Sequence, residues 1–445
     1  MSGGLVIIGG GGAGISAATR ARRVNPDIPI TIYSQERRFS LSVPAQYDYT
    51  TDDRNSDGEM HLAREWRDLP DNIRVVSDSR VVRIMPEEKK LLVENRKRKA
   101  ARSVRYDRLI ICTGANPLRP LLPGAGLDGI FTMRSIRDSL AIKLYFDRYN
   151  PTQALIVGGS FVGLEMLENL REYPHVITLA ERAPQLMGEA LDADMAVLIE
   201  DYLRSRGINV ITNCEAVGFQ GEQRVSRMLG NSRDIDCDFV LMATGVYPNS
   251  QLAKDAGIEL GCDNAIHINN RMETNIPNIF AAGDCVTTFH TVSGHHDYMP
   301  RPSTALKQGR VAGENAAGGD AAFKGAIGTA ILEVFDLEIS RTGLCEKECA
   351  ALGIPCVTHK IKAPTRPTYF DTVGEINIKL IAEQNSLRLL GAQIVGNEGA
   401  GRRIDMLATA ITLHATMDQL IDIDAAHAPA FSPVWDPLLE GMSRF

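Results

Sequence analysis

The stretch LVIIGGGGAGISAATRARR, Leu5–Arg23, decides how this chain is read. Leu5–Ile8 is a short apolar run, suited to a parallel strand buried on both faces. Gly9, Gly11 and Gly14 follow in the spacing GxGxxG, and the residues after them predict a helix. The first glycine permits a tight turn. The second lets a pyrophosphate approach the backbone, and the third lets the helix pack closely on the strand. The helix N-terminus then faces the phosphate charge. A lone GxGxxG is a weak signal; one set between a strand and a helix points to a dinucleotide.

A second copy of the unit strengthens that reading. ALIVGGSFVGLEMLENL, Ala154–Leu170, is followed by the strand-like VITLAER, Val176–Arg182. Its turn residues are Gly158, Ser160 and Gly163, with serine at the middle position, where the backbone approach is then less close. Glu181 ends the next strand, placed to bond ribose hydroxyls and to repel a 2′-phosphate, which favours NADH over NADPH. Arg182 beside it moderates the preference. In the first copy Ser34 stands at the strand end and Glu36 two residues later; either serves the first ribose, and Glu36 is the better acceptor. YDRLIICTG, Tyr106–Gly114, and DCDFVLMATG, Asp236–Gly245, are matching strands, one after each copy. In TNIPNIFAAGDC, Thr274–Cys285, a strand ends in small residues and Asp284, whose carboxylate suits a flavin ribityl hydroxyl.

The 445 residues exceed one compact domain. The expected division is a first dinucleotide domain in two parts, 1–115 and 246–322, a second over 116–245, and an α+β domain over 323–445. In the last, Ile376–Gly396 alternates like an antiparallel hairpin and Arg402–Ile421 has helical period. A net charge of −7 argues against nucleic acid as a partner. No apolar run reaches the length of a membrane span, and the N-terminus lacks the basic region of a signal peptide. Eight cysteines in this length are not a disulfide framework, and a reducing cytoplasm is the simplest compartment. The basic run Arg96–Arg102 is expected to be a solvated loop. Cys345, Cys349, Cys356 and His359 match no common metal spacing, so inert thiols and no metal are expected. His290, His295 and His296 are read as loop residues.

Together VIIGGGGAG, YDRLIICTGANP, GGSFVGLEMLENL, TNIPNIFAAGDC, ALKQGRVAGEN, GAQIVGNEGAGRRIDMLATAI and APAFSPVWDPLL resemble the pyridine nucleotide-disulfide oxidoreductase superfamily. Within it the chain is most similar to the coenzyme A-disulfide reductase, NADH oxidase and NADH peroxidase group. The resemblance implies an α/β fold with two Rossmann-like domains and a C-terminal dimerisation domain. It implies FAD on the first turn, NAD(P)H on the second, and a homodimer whose partner completes the flavin site. By the same resemblance Val81, Thr113, Gly114, Arg134 and Ala305 join Gly9, Gly11, Gly14, Glu36, Ser42 and Asp284 at FAD. Gly245 joins the nucleotide site, and Glu165 lies beside the nicotinamide. Arg20, Arg22 and Arg23 lie where relatives hold the nucleotide end of coenzyme A; solvated surface is the first expectation for them.

Two departures stand out. Where the family carries a redox cysteine, this chain reads FSLSVPAQY, Phe39–Tyr47, and its first cysteine is Cys112. An ungapped alignment puts Pro44 at that place; a shifted one puts Ser42 there. Neither takes part in thiol exchange. His427 stands where the group has a tyrosine near the flavin, a candidate proton donor, with Tyr369 as a second group nearby. The expected function is an NADH-dependent FAD oxidoreductase passing electrons to a non-thiol acceptor. The alternatives are an electron-transfer subunit serving an iron-sulfur carrier or larger complex, and a non-catalytic sensor or scaffold that binds the cofactors.

Overall fold

The computed structural model describes residues 3–36, 39–40, 63–64, 69, 72–97, 99–170 and 174–445. Two units of the same design succeed one another. In the first, Leu5–Ile8 is the centre of a five-stranded parallel sheet, flanked by Ile30–Tyr33 and Arg108–Ile111. Ile73–Val76 and Ile279–Ala281 form its edges. In the second, Gln153–Val157 is central, between Val176–Ala180 and Phe239–Met242. Asn209–Ile211 and Ile130–Phe131 complete it. Each unit adds a three-stranded antiparallel meander, 79–105 in the first and 216–236 in the second. Leu5–Ile8 and, after exposed Gln153, Ala154–Val157 are buried throughout, as parallel strands covered on both faces must be.

The units are stitched where their matching strands end. Ala115–Pro117 pairs antiparallel with Val246–Pro248. Thr113 Oγ1 donates to the Asn249 carbonyl at 2.7 Å, and Thr244 Oγ1 donates to the Leu118 carbonyl at 2.6 Å. The chain thus leaves the first sheet, builds the second and returns, so that Ile279–Ala281 lies beside Arg108–Ile111.

Helix Gly12–Val24 packs on helix Pro302–Ala316 with almost no side chain between them. A Cβ on Gly309 would lie 2.2 Å from the Ala13 carbonyl oxygen, and one on Gly313 would lie 2.1 Å from that of Ala17. Arg20 closes the pair with an ion pair to Glu314 at 2.7 Å. Arg22 donates to the Pro26 and Asn72 carbonyls, and Arg23 is exposed. Two of the three arginines are thus engaged within the chain.

The C-terminal unit is a five-stranded antiparallel sheet over 330–396, with helix Ala400–Thr412 on one face. The hairpin Glu375–Glu383 and Leu389–Gly396 forms where alternation predicts it. The helical stretch differs from expectation: it breaks at Leu413–Thr416, where His414 takes a left-handed φ of 58°, and restarts as Met417–Ile421. The described residues of the basic run Arg96–Arg102 are exposed, as expected of a solvated segment, but its second half, from Ala100, is strand rather than loop. The Arg102 guanidinium lies 5.9 Å from the centroid of the Tyr33 ring. His290 is buried in strand Thr288–His290, pairing with His295, so these histidines build a small hairpin rather than a loop.

A clasp around a buried lysine joins the second unit to the C-terminal sheet. Lys379 Nζ, on a side chain only 5% exposed, meets Asp192 at 3.2 Å, Asp194 at 2.8 Å, and Glu346. These three carboxylates lie close enough together to hold a cation, and the ammonium takes that place. No helix among the described residues is long and apolar enough to cross a membrane.

Candidate active site

The first glycine turn is shaped by backbone approach. Gly9 has φ +104°, and a Cβ there would sit 2.0 Å from the Cys112 carbonyl oxygen. Gly14 is pressed against the Gly9 carbonyl, 2.1 Å from where its Cβ would be. A Cβ on Gly11 would meet nothing within 4 Å. The middle glycine therefore opens onto space at the start of helix Gly12–Val24, as a backbone-bound pyrophosphate requires. The second turn repeats the pattern. Gly158 has φ +114° with Ala243 beneath it, Gly163 presses on the Gly158 carbonyl, and Ser160 is half-buried at the middle position. Gly114 and Gly245 both adopt left-handed φ, at 68° and 104°, and end matching strands.

Around the first turn the candidate flavin residues converge. Arg134 Nη2 bonds Asp284 Oδ2 at 2.6 Å. Arg134 also faces the carboxyl of Glu36. Glu36 is exposed at the strand's rim, yet desolvation raises its pKa; Arg137 opposes the rise and Asp138 adds to it. Ser34 is buried, and its hydroxyl accepts from the Glu36 N–H at 3.1 Å. Ala305 packs in the first turn of helix Pro302–Ala316, 3.6 Å from where a Cβ on Gly283 would be. Val81 lies deeper, paired with Val93 in the meander core. Ser42, with Val43 and Pro44, lies outside the described residues.

At the second turn Glu181 binds backbone with both oxygens, accepting from Gly159 N–H and Ala183 N–H, each at 2.7 Å. The carboxylate is thereby fixed at the strand end that faces a ribose in this topology. Glu165 is half-buried on helix Phe161–Leu170, one turn beyond Phe161 and on the same face. Tyr369 and His427 are not drawn in within one chain. Tyr369 is 74% exposed and stacked on Phe370, and His427 is exposed. No hydrogen bond or ion pair joins either to Asp284 or Arg134.

Sequence reading missed three contributors. Tyr298 donates to the Asp284 carbonyl at 2.9 Å, and burial followed by Asp284 pushes its phenol pKa up. Gln308, buried, accepts from Gly283 N–H and donates to Thr288, fixing the Asp284 turn. Arg301 stacks over the Phe161 ring, 5.0 Å from its centroid. The Gly309–Gly313 spacing could have signalled the close helix pair; nothing local marks Tyr298 or Arg301.

The thiols beside the first turn are buried. Cys112 and Cys285 adjoin the first turn, and burial raises both pKa values, Cys112 well above the ordinary range. Cys349 and Cys356 contact each other in the C-terminal unit, and burial pushes Cys349 up to about 12. His359 packs edge-on against Phe445, at 4.6 Å.

Residues 4–309 match the family model described as pyridine nucleotide-disulphide oxidoreductase, and 329–437 match that family's dimerisation domain. The chain is 33% identical over 436 residues to an NADH oxidase of Methanocaldococcus jannaschii, covering 97% of this chain and 96% of the relative. It is 32% identical over 443 residues to an NAD(P)H coenzyme A polysulfide/persulfide reductase of Pyrococcus horikoshii, covering 98% and 96%. The solved structure of an NAD-dependent persulfide reductase from A. fulgidus superposes with a TM-score of 0.92 at 33% identity, over 99% of this chain and 82% of that one. With two glycine turns, a shared fold and relatives along nearly its whole length, the chain belongs to the pyridine nucleotide-disulphide oxidoreductase family of FAD- and NAD(P)H-dependent oxidoreductases.

Proposed function

We propose that this oxidoreductase takes hydride from NADH onto FAD and passes the electrons to an acceptor without a cysteine relay. The observation that carries this is the state of its thiols. The first cysteine in the chain is Cys112, and it and Cys285, the cysteines beside the flavin turn, are buried and held protonated. A relay needs a thiolate, and these supply none at neutral pH.

FAD supplies the redox chemistry once bound. The residues fit it: the open space at Gly11 admits the pyrophosphate, and Asp284, paired with Arg134 and following Gly283, whose N–H donates to Gln308, presents an oriented carboxylate. Ser34 and Glu36 lie at the strand end for the ribose, with Thr113, Gly114, Val81 and Ala305 shaping the walls. At the second site Gly158, Ser160, Gly163 and Gly245 give the nucleotide its backbone bed, and Glu181 selects NADH by charge. Glu165 would lie beside a bound nicotinamide and help orient it.

Two copies complete the site. Phe431, Val434 and Trp435 are exposed by 69%, 81% and 50%, an apolar strip that suits burial against a second copy of the dimerisation domain. His427 lies just before this strip and Tyr369 is exposed elsewhere on the same unit; on this reading, which the family resemblance supports, pairing would carry both toward the partner's flavin, His427 as proton donor. Polysulfide or persulfide reduction, which the Pyrococcus horikoshii relative's name states for that protein, is the thiol-side competitor to this reading.

The test is an anaerobic NADH titration of the purified protein, following flavin absorbance. Bleaching with about two electrons per FAD supports the proposal, because no disulfide shares the electrons. Uptake of about four refutes the thiol-free route, and an unchanged spectrum refutes NADH reduction itself. Steady-state assays with oxygen, a quinone and a ferredoxin then identify the acceptor.

A further inference from the structure

We propose that Arg301 is a cation held at the crossing between the two nucleotide sites, where it stabilises the negative charge that the flavin gains on reduction. The inference rests on the reading that FAD lies on the first turn and NADH on the second.

Position comes first. Arg301 caps helix Pro302–Ala316, its carbonyl accepting from Ala305 N–H at 2.9 Å. The first turn of that helix lies over the first glycine turn: a Cβ on Gly283, beside Asp284, would meet Ala13 at 2.8 Å and Ala305 at 3.6 Å. The guanidinium of Arg301 reaches the other way, 5.0 Å from the ring centroid of Phe161, which opens the helix of the second turn. One side chain thus spans the elements that carry both sites, and hydride must pass between those sites.

Chemistry comes second. No described carboxylate or carbonyl accepts a hydrogen bond from the Arg301 guanidinium; its partner is the aromatic face. Arg341 nearby adds positive charge, and its own ion pair is with Glu348, at 3.0 Å. Burial, then Arg341, brings the Arg301 pKa down to about 10, so the group stays charged at neutral pH. A half-buried cation without a counter-ion is unfavourable until an anion arrives. The reaction provides one. Hydride transfer from NADH, two electrons with one proton, would leave NAD+ and give a bound flavin a negative charge. The N-terminus of helix Pro302–Ala316 adds partial positive charge on the same side.

Sulfite tests this without NADH. It adds to oxidised flavin and places negative charge on the ring, so its affinity reads the local field. Arg301→Met, holding FAD, is expected to bind sulfite at least about tenfold more weakly, the scale of one charge acting at short range in a medium of effective dielectric about 20. The two-electron potential should fall in step, about 30 mV per tenfold. Arg301→Lys, which keeps the charge, should stay within about threefold of the parent. Arg301→Gln takes the same decision if the methionine variant fails to hold FAD. Sulfite affinity and potential unchanged in a neutral variant would overturn the proposal. So would a raised KM for NADH with the potential unmoved, which would assign the cation to the nucleotide's phosphates. If the parent binds sulfite normally, and as the variants predict, yet is not reduced by NADH, the proposed function fails and this inference stands.

Discussion

Replacing Gly309 by alanine should loosen FAD, although the residue touches neither cofactor site directly. The new Cβ would lie 2.2 Å from the Ala13 carbonyl oxygen. A carbon–oxygen contact rests near about 3.3 Å, so the two helices must separate by about 1 Å. Overpacking costs about 1–3 kcal/mol, and a backbone oxygen that cannot swing aside places this site at the upper end, about 3. Alanine returns about 1 kcal/mol in helix propensity, leaving a net loss of about 2. At about 2–4 °C per kcal/mol for a unit of this size, the first unfolding transition should fall by about 4–8 °C. Because Ala13 lies within the glycine turn, the shift also displaces the pyrophosphate bed, so the purified variant should carry less than one FAD per chain. The assay is thermal unfolding followed by flavin fluorescence, with FAD stoichiometry measured beforehand. Gly126→Ala is the control, since its Cβ would meet nothing within 4 Å. Equal or higher thermal stability with full FAD in Gly309→Ala would refute the reasoning.

Three further predictions follow from particular contacts. Lys379→Met leaves buried Asp192 without its cation, while Asp194 and Glu346, each 43% exposed, are screened by solvent, so the loss should be about 2–3 kcal/mol, read by denaturant unfolding; a loss under about 1 would show that solvent also screens Asp192. Glu181→Ser removes the charge that opposes a 2′-phosphate, so the ratio of kcat/KM for NADPH over NADH should rise at least about tenfold; a constant ratio would remove Glu181 from selectivity. Glu348 is subject to burial, which alone would raise its carboxyl, but Arg341 and the Cys345 N–H outweigh it and hold the pKa below 4.5. Its stabilising contribution is therefore present above that value and is lost as pH falls through the lower folded pKa. Thermal stability measured between about pH 5 and about pH 3 should drop less steeply in Glu348→Gln than in the parent; parallel curves would count against the linkage.

Much of the site was legible because its signals are local. Gly9, Gly14, Gly158 and Gly163 are fixed by contacts to backbone a few residues or one strand away, so spacing alone reveals them. Glu181 and Asp284 follow strands whose apolar runs are plain in the sequence. The apolar runs and their repeat likewise determined two parallel-sheet units, and alternation determined the C-terminal hairpin, because each pattern reflects which faces are buried. Tertiary structure alone decided the rest. It joined Arg134 to Asp284 across 150 positions, seated Lys379 among carboxylates from two other segments, and set Arg301 on Phe161. It broke the helix at His414, where packing against the sheet overrode a continuous helical period. It also left Tyr369 and His427 on the surface of one chain. The reason is physical: periodicity records burial, whereas a long-range pairing depends on how separate elements pack, and no local pattern carries that.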